Sequence, residues 1–309
     1  MKKYLLGIDV GGTTVKMGKF DLSGNLLDKW EIPTDKADKG SRILAEIYAA
    51  LNDRLDWDEV EGIGFGVPGP VSDGVVFNCV NLGWGTTDVP AEFQKFLNRP
   101  DIEVKASNDA NVAAAGEAYQ GSAKGFRNVC LFTLGTGVGG GIIVEGKVVD
   151  GTNGLGGELG HLQVDRTGRF PCNCGKRGCL ETLASATGIV TLAKEYAAAD
   201  GKSALHGLDN FSAKRVFDWA KAGDKAALAA VDEAADHLAY ACSLVTLVTN
   251  PELFVFGGGV ANAGTFLLDK IAERYPKYVK PFLREGRFAL ATLGNDAGMY
   301  GAAYLVRKA

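Results

Sequence analysis

No stretch of the 309-residue sequence approaches the ~18 consecutive apolar residues that a membrane-crossing helix needs, which excludes a helical span. Basic charge is not in excess: 33 Lys and Arg stand against 37 Asp and Glu, a net charge of −4. That argues against a nucleic-acid binder, which usually carries a basic face. It leaves a small anionic ligand open, because local amides and single cations bind one. There is no GxxxxGK[ST] and no GxGxxG leading into a helix, so neither a P-loop nor a Rossmann turn holds a nucleotide here. No C-x-x-C occurs, which removes the thioredoxin-type redox site. Histidine is scarce, with three in all. His206, in a polar loop, and His237, one step off the apolar stripe of its helix, read as surface residues. The opening MKKYLLGIDVGG starts like a leader, but Asp9 and the glycines interrupt the apolar run and no small-residue cleavage site follows. It reads as a buried strand, and the cytosol is the expected compartment.

What is present is a globular composition, 46% hydrophobic and 23% charged. At this length one hydrophobic core usually gives way to two, so two lobes are expected. Strands are predicted at 4–10, 15–21 and 26–32, with GGTT and LSGN as the turns. A helix over 41–55 follows from the spacing of Ile43, Ile47, Ala50 and Leu51. A buried strand at 60–70, a short helix AEFQKFLN, a strand IEVKASND and a helix ANVAAAGEAYQG complete a β-β-β-α-β-α order. A similar order restarts at 128–149, followed by a long helix over 226–250, the strand LFVFGGG, a helix from about Gly264, a strand FALATLG and a closing helix. Residues 200–225 carry the least signal and read as helices and loops. The two openings suggest a structural repeat.

Three glycine turns each follow an apolar strand: GIDVGGTT (7–14), LGTGVGGG (134–141) and FGGGV (256–260). Glycine lets backbone N–H groups approach a phosphate closely, and threonine hydroxyls add donors. Each turn alone fits an ordinary hairpin; three together point to a phosphate-bearing ligand. Asp9, at the end of an apolar strand, is either a turn aspartate or a carboxylate that holds Mg²⁺ through water. In SNDANVAAAGE, Asn108 or Asp109 reads from the residues alone as a helix N-cap.

The densest chemistry is HLQVDRTGRFPCNCGKRGCLE, with His161-x₁₀-Cys172-x-Cys174-x₄-Cys179. Six cysteines is an even number, but a cytosolic chain disfavours a disulfide framework. Three thiolates and one imidazole make a closed tetrahedral Cys₃His shell suited to structural zinc. Gly175 and Gly178 let the short loop fold back. Cys79, Cys130 and Cys242, in or beside apolar runs, read as small buried hydrophobes.

Taken together, GIDVGGTTVK, GVPGPV, NLGW, NDANVAAAGE, TLGTGVGGGII, GLGGELGH, CNCGKRGCLET, ASATGI, FGGGV and GNDAGMYGAA resemble the ROK family of sugar kinases, most closely its bacterial glucokinases. These stretches run in family order across nearly the whole chain. The resemblance implies an α/β fold of two actin-like (ribonuclease-H-like) lobes around a central cleft, with lobes at 1–118 plus 298–309 and at 119–297. It implies phosphorylation of glucose by ATP at the 6-hydroxyl. Asp109 is then the catalytic base, and Asn108, Glu158, His161 and Glu181 bind the sugar, with Gly69 and Asn81 lining its site. Asp9, Gly11, Gly12, Thr13, Thr14, Gly135, Thr136, Gly137, Gly257, Gly258 and Gly259 surround ATP and its Mg²⁺. His161, Cys172, Cys174 and Cys179 hold structural Zn²⁺, and His161 uses its second ring nitrogen on a sugar hydroxyl. A homodimer is implied, with no nucleic-acid or membrane partner. Some members are repressors with a helix-turn-helix ahead of the kinase-like part; DVGG at residue 9 leaves no room for one. A kinase for N-acetylmannosamine, fructose or allose, and a non-catalytic sugar sensor or actin-like ATPase scaffold, are the alternatives.

Overall fold

A computed structural model describes residues 2–281 and 286–308. In chain order the strands are β1 (Tyr4–Val10), β2 (Thr14–Asp21), β3 (Leu26–Pro33), β4 (Val60–Val67), β5 (Val71–Ser72), β6 (Val75–Val76), β7 (Thr87–Asp88), β8 (Glu103–Asn108), β9 (Val129–Leu134), β10 (Val138–Val144), β11 (Lys147–Val148), β12 (Leu253–Gly257) and β13 (Phe288–Leu290). The helices are α1 (Ile43–Asn52), α2 (Val89–Leu97), α3 (Asp109–Gln120), α4 (Glu181–Ala184), α5 (Ala186–Ala199), α6 (Ala213–Lys221), α7 (Lys225–Thr249), α8 (Thr265–Arg274) and α9 (Ala297–Leu305). The chain divides into two compact units: Met1–Arg127 with Gly141–Gly157 and Leu293–Ala309, and Asn128–Gly140 with Glu158–Thr292.

The first unit is built on a sheet of order β3-β2-β1-β4-β8. β1 pairs antiparallel with β2 and parallel with β4, and β4 pairs parallel with β8. β1 and β4 are apolar on both faces because both are covered. Ile8, Val10, Val15, Ile63, Phe65 and Val67 join Ile43, Ile47, Val89 and Phe93 of α1 and α2 in one core. On the other face α9 lies so close that a Cβ on Gly64 would stand 1.8 Å from the Ala302 carbonyl oxygen. A side chain there has no space, which explains Gly64; a Cβ on Gly62 would meet Val306 at 2.8 Å and one on Gly66 would meet Val112 of α3 at 2.5 Å. A small sheet β5-β6-β7 sits beside this core.

The second sheet runs β11-β10-β9-β12-β13. β10 and β11 are antiparallel, and β12 is parallel to both β9 and β13. These relations match β2–β3, β1–β4 and β4–β8, so the repeat expected from the two strand–glycine openings is present as topology. In the second unit α7 is buried along more than the single stripe its spacing suggests: Ala226, Ala230, Ala234, Leu238, Ala241 and Val245 are all covered. The reason is that α5, α6 and α8 all pack against it, and alanine allows close approach. His237 is accordingly only 20% exposed, 3.7 Å from Glu233, rather than a surface residue. Among the described residues no helix is long and apolar enough to cross a membrane.

Candidate active site

The first unit carries the β8–α3 corner. β8 delivers the chain to Asn108, and the residue after it opens the helix. Asn108 is the N-cap: its side-chain oxygen accepts from the N–H of Ala110 and Asn111 at 2.9 and 3.2 Å, which satisfies two otherwise orphaned donors. Its Nδ2 donates to the Gly69 carbonyl at 2.9 Å, and Gly69 holds φ +99°, a left-handed conformation suited to glycine. Asp109, the first helical residue, is exposed. Asn108 is thus the cap, and the Asp109 carboxylate, whose Oδ1 also accepts from the Ala110 N–H at 2.8 Å, stands at the helix N-terminus. Asn81 is exposed in the turn that Cys79 and Trp84 close.

The β1–β2 turn is closed by Gly11 N–H donating to the Thr14 carbonyl at 3.0 Å and braced by the Thr34 hydroxyl on the Gly11 carbonyl at 2.7 Å. A Cβ on Gly12 would meet nothing within 4 Å, and Thr13 is exposed, so this turn presents open backbone. Asp9 precedes it. Burial first, then repulsion by the Asp109 charge, pushes the Asp9 carboxyl from its ordinary 3.8 up to about 6. An acid raised on folding costs nothing below both values, where it is neutral in either state. The cost grows as pH rises through 3.8 to 6 and is complete above. The shift corresponds to about 3 kcal/mol. In nucleotide- and Mg²⁺-free protein, Asp9→Asn is therefore expected to raise the unfolding midpoint at pH 7.5 and to lose most of that advantage at pH 4.5. A thermal-shift series over this range checks it; a gain that does not shrink with acidification contradicts the assignment.

The second unit carries the remaining candidates. In the β9–β10 turn, Gly135 N–H donates to the Gly137 carbonyl at 2.9 Å. The start of α5 grips this turn: Ala186 N–H donates to the Gly135 carbonyl at 2.8 Å and the Thr187 hydroxyl to the Thr136 carbonyl at 3.0 Å. Gly257 ends β12, and Gly258 and Gly259 follow it exposed. A cavity of about 530 Å³ opens beside these turns, lined by Gly135, Thr136, Gly259 and Val260 and by Ala213, Lys214, Phe217 and Lys221 of α6. Apolar walls next to open glycine turns suit a flat base with an anionic tail; Lys221 and the Lys214–Asp218 ion pair, 2.7 Å apart, also line it. Half of this lining comes from 212–221, within the stretch the sequence left least defined.

Glu181 opens α4. Its Oε2 accepts from the Val138 N–H at 3.1 Å, and it occupies the place where a Cβ on Gly137 would stand, 2.3 Å away. Gly137 is thus a glycine because a carboxylate packs on it. Glu181 Oε1 is 3.8 Å from the Cys172 sulfur, which joins the turn to the cysteine loop. That loop is a tight double-back. Leu180 N–H donates to the Leu162 carbonyl, Val164 N–H to the Gly178 carbonyl and Cys172 N–H to the Lys176 carbonyl, at 2.8, 3.0 and 2.8 Å. Gly178 takes φ +73°.

The reversal gathers one donor atom each from His161, Cys172, Cys174 and Cys179 within 4.8 Å of one another. All six cysteines carry free thiols. Cys172 Sγ lies 3.6 Å from His161 Nδ1, and Cys174 Sγ lies 3.7 Å from Cys179 Sγ. A tetrahedral zinc with Zn–S bonds of about 2.3 Å and a Zn–N bond of about 2.0 Å requires donor separations of roughly 3.5–3.8 Å. The donor set and spacing fit. Without a cation, burial pushes the Cys179 thiol up to about 12 and also raises Cys172, whereas the Lys176 amide lowers Cys174. His161 Nε2 lies 3.9 Å from Glu158 Oε2, so its two nitrogens face different groups.

The ROK family profile matches residues 5–309. The chain is 43% identical to a glucokinase of Halalkalibacterium halodurans, covering 99% of this chain and 96% of that one. It is 33% identical to a glucokinase of Thermotoga maritima, covering 99% and 98%. Among solved structures, a ROK family glucokinase from Streptomyces griseus, in complex with glucose and AMPPNP, superimposes with a TM-score of 0.76 at 31% identity, covering 99% of this chain and all of that one.

Proposed function

The chain belongs to the ROK family, with its actin-like α/β fold, and from that premise we infer that it is a glucokinase, transferring the γ-phosphoryl group of ATP to the 6-hydroxyl of glucose. The observation that carries the chemistry is the β8–α3 corner, where Asn108 caps the helix and the exposed Asp109 carboxylate, which accepts from Ala110 N–H through Oδ1 at 2.8 Å, stands at the helix N-terminus. Asp109 accepts the 6-hydroxyl proton as that oxygen bonds to the γ-phosphorus. The bond from the γ-phosphorus to the β–γ bridging oxygen breaks, and ADP leaves. An anion in the first helical turn is favoured by the N–H groups there. The cavity beside Gly135 and Thr136 receives the nucleotide, with the glycine-turn amides toward the phosphates. Asp9 would hold, through water, the Mg²⁺ that comes with ATP, and that ion would supply charge neutralisation at the phosphates.

Asn108, Glu158, His161 and Glu181 bind the sugar hydroxyls, with Gly69 and Asn81 alongside; carboxylates and an amide accept and donate to the several hydroxyls of a pyranose. His161 Nδ1 with the sulfurs of Cys172, Cys174 and Cys179 holds a structural Zn²⁺. That keeps the imidazole turned so that Nε2 is available on the Glu158 side. The chain works as a homodimer, which light scattering checks. The test of substrate is a coupled assay over glucose, N-acetylmannosamine, fructose and allose. Glucose is expected to show the highest kcat/KM; a tenfold preference for another of these sugars overturns the glucokinase reading and leaves the kinase fold standing.

A further inference from the structure

One polar cluster beside the corner has no place in the chemistry above. Asp150 follows the short β10–β11 hairpin and opens the loop that runs to Gly157. Its Oδ1 accepts two side-chain hydrogen bonds from residues about forty positions away in the chain. Ser107 Oγ donates at 2.8 Å and Asn111 Nδ2 at 2.9 Å. Both donors are buried, 3% and 1% exposed. They bracket the Asn108–Asp109 pair, Ser107 from the last residues of β8 and Asn111 from the first turn of α3.

Side chains alternate across a strand, so Ser107 and Asn108 leave β8 on opposite faces. Asn108 is tied to the Gly69 carbonyl on one side, and Ser107 is tied to Asp150 on the other. The Asn111 side-chain oxygen is buried and meets no hydrogen-bond partner among the described residues. The bond from its Nδ2 to Asp150 is therefore what orients that amide. The Asp150 carbonyl also accepts from Gly156 N–H at 2.7 Å, which fixes the loop whose next residue after Gly157 is Glu158.

We propose that Asp150 is a positioning residue for phosphoryl transfer: one carboxylate oxygen clamps Ser107 and Asn111 and so sets the angle at which the β8–α3 corner presents Asp109 to the sugar hydroxyl. The inference rests on Asp109 being the base. It requires an acceptor oxygen at this point, held by two donors; it does not require a charge. Loss of the acceptor leaves two buried donors unsatisfied and frees the corner on one face. A displacement of about 1 Å at a reacting group can cost on the order of 10²-fold, and a corner still held by Asn108 loses less.

The experiment compares Asp150→Ala, Asp150→Asn and Ser107→Ala with wild type and with Asp109→Asn. Steady-state glucose phosphorylation is measured with the rate of ATP hydrolysis in the presence of sugar. Asp150→Ala is expected to lower kcat about tenfold with the ATP KM within twofold, and to raise the ratio of hydrolysis to sugar phosphorylation. A smaller active fraction alone would leave that ratio unchanged. Asp150→Asn keeps an oxygen facing the two donors and is expected to stay within about twofold of wild type. Ser107→Ala removes one donor and should show the same split more weakly; it carries the test if Asp150→Ala does not fold. The proposal is overturned if kcat and the ratio are unchanged in Asp150→Ala (or, where that variant does not fold, in Ser107→Ala). It is equally overturned if Asp150→Asn loses as much as Asp150→Ala, or if kcat falls without a change in the ratio. A fully active Asp109→Asn would instead remove the base assignment on which the proposal stands, so the two failures are distinguishable.

Discussion

Asp109→Asn is expected to lower kcat by about 10²–10⁴-fold, the usual contribution of a positioned general base, with the glucose KM and the fold little changed. The structure explains why the fold should tolerate it. The helix is capped by Asn108, whose oxygen takes the N–H of Ala110 and Asn111, so the substitution leaves the cap intact. Removing an anion from the first turn costs roughly 0.3–1 kcal/mol. Against this, the Asp109 charge is one of the causes that raise the Asp9 carboxyl, and its removal relieves that repulsion. The two effects oppose each other, and a thermal midpoint close to wild type follows. The asparagine keeps the shape of the aspartate and can still meet a sugar hydroxyl, but it cannot take the proton. Steady-state kinetics on glucose, beside a melting curve, checks all three statements. A kcat near wild type would remove Asp109 from the chemistry and leave it as an ordinary first-turn aspartate.

The parts of the site that were legible in the sequence are those made by neighbours in the chain. The Cys₃His cluster spans 161–179, and its spacing within one short loop is what suggested four donors to one ion; the structure brings those four donors within 4.8 Å of one another. The strands β1 to β3 announce themselves by apolar runs broken by GGTT and LSGN. The Asn108–Asp109 pair was visible as a strand–helix junction, although which of the two caps the helix was settled by hydrogen bonds that no spacing encodes.

What stayed illegible is what the fold assembles from afar. The cavity proposed for the nucleotide draws on 135–136, 186, 212–221 and 259–263. α6, which supplies much of it, is a short amphipathic helix with nothing in its own pattern to mark a ligand. Asp150, in VVDGTNG, looks like any turn aspartate, because its partners Ser107 and Asn111 lie 43 and 39 residues away. Gly137 carries a second reason that the sequence did not display. As one glycine of a phosphate-type turn its reason seemed local, yet the space it leaves is filled by the Glu181 carboxylate. A ligand-facing glycine and a packing glycine are identical in sequence.

Cys174→Ala is expected to abolish stoichiometric zinc and to cut glucose phosphorylation on the order of 10²-fold while the fold largely survives. Cys174 is the exposed member of the cluster, whereas Cys172 and Cys179 are buried, so alanine there removes a ligand without opening a cavity. Structural zinc contributes roughly 10–16 kcal/mol of apparent binding energy in small peptides. Here both five-stranded sheets, and α7 with the helices α5, α6 and α8 packed against it, lie outside the loop, so far-ultraviolet circular dichroism should remain close to wild type. The damage is directional. Without the metal, His161 loses the contact that holds Nδ1, and the double-back between 162–165 and 178–180 loosens. Glu181 is tethered at one end to Val138 N–H and at the other lies 3.8 Å from the Cys172 sulfur. It therefore loses its alignment at the loop end first. A shift of about 1 Å in a group that positions substrate is enough for the expected loss. The ATP KM should rise less than the glucose KM, because Ala213, Phe217 and Val260, which wall the cavity proposed for ATP, take no part in the loop. Elemental analysis of purified wild-type protein should give one zinc per chain, and the variant little. Wild-type protein without stoichiometric metal, or a Cys174→Ala enzyme with unchanged glucose KM and kcat, would show that the cysteine loop does not organise the sugar site.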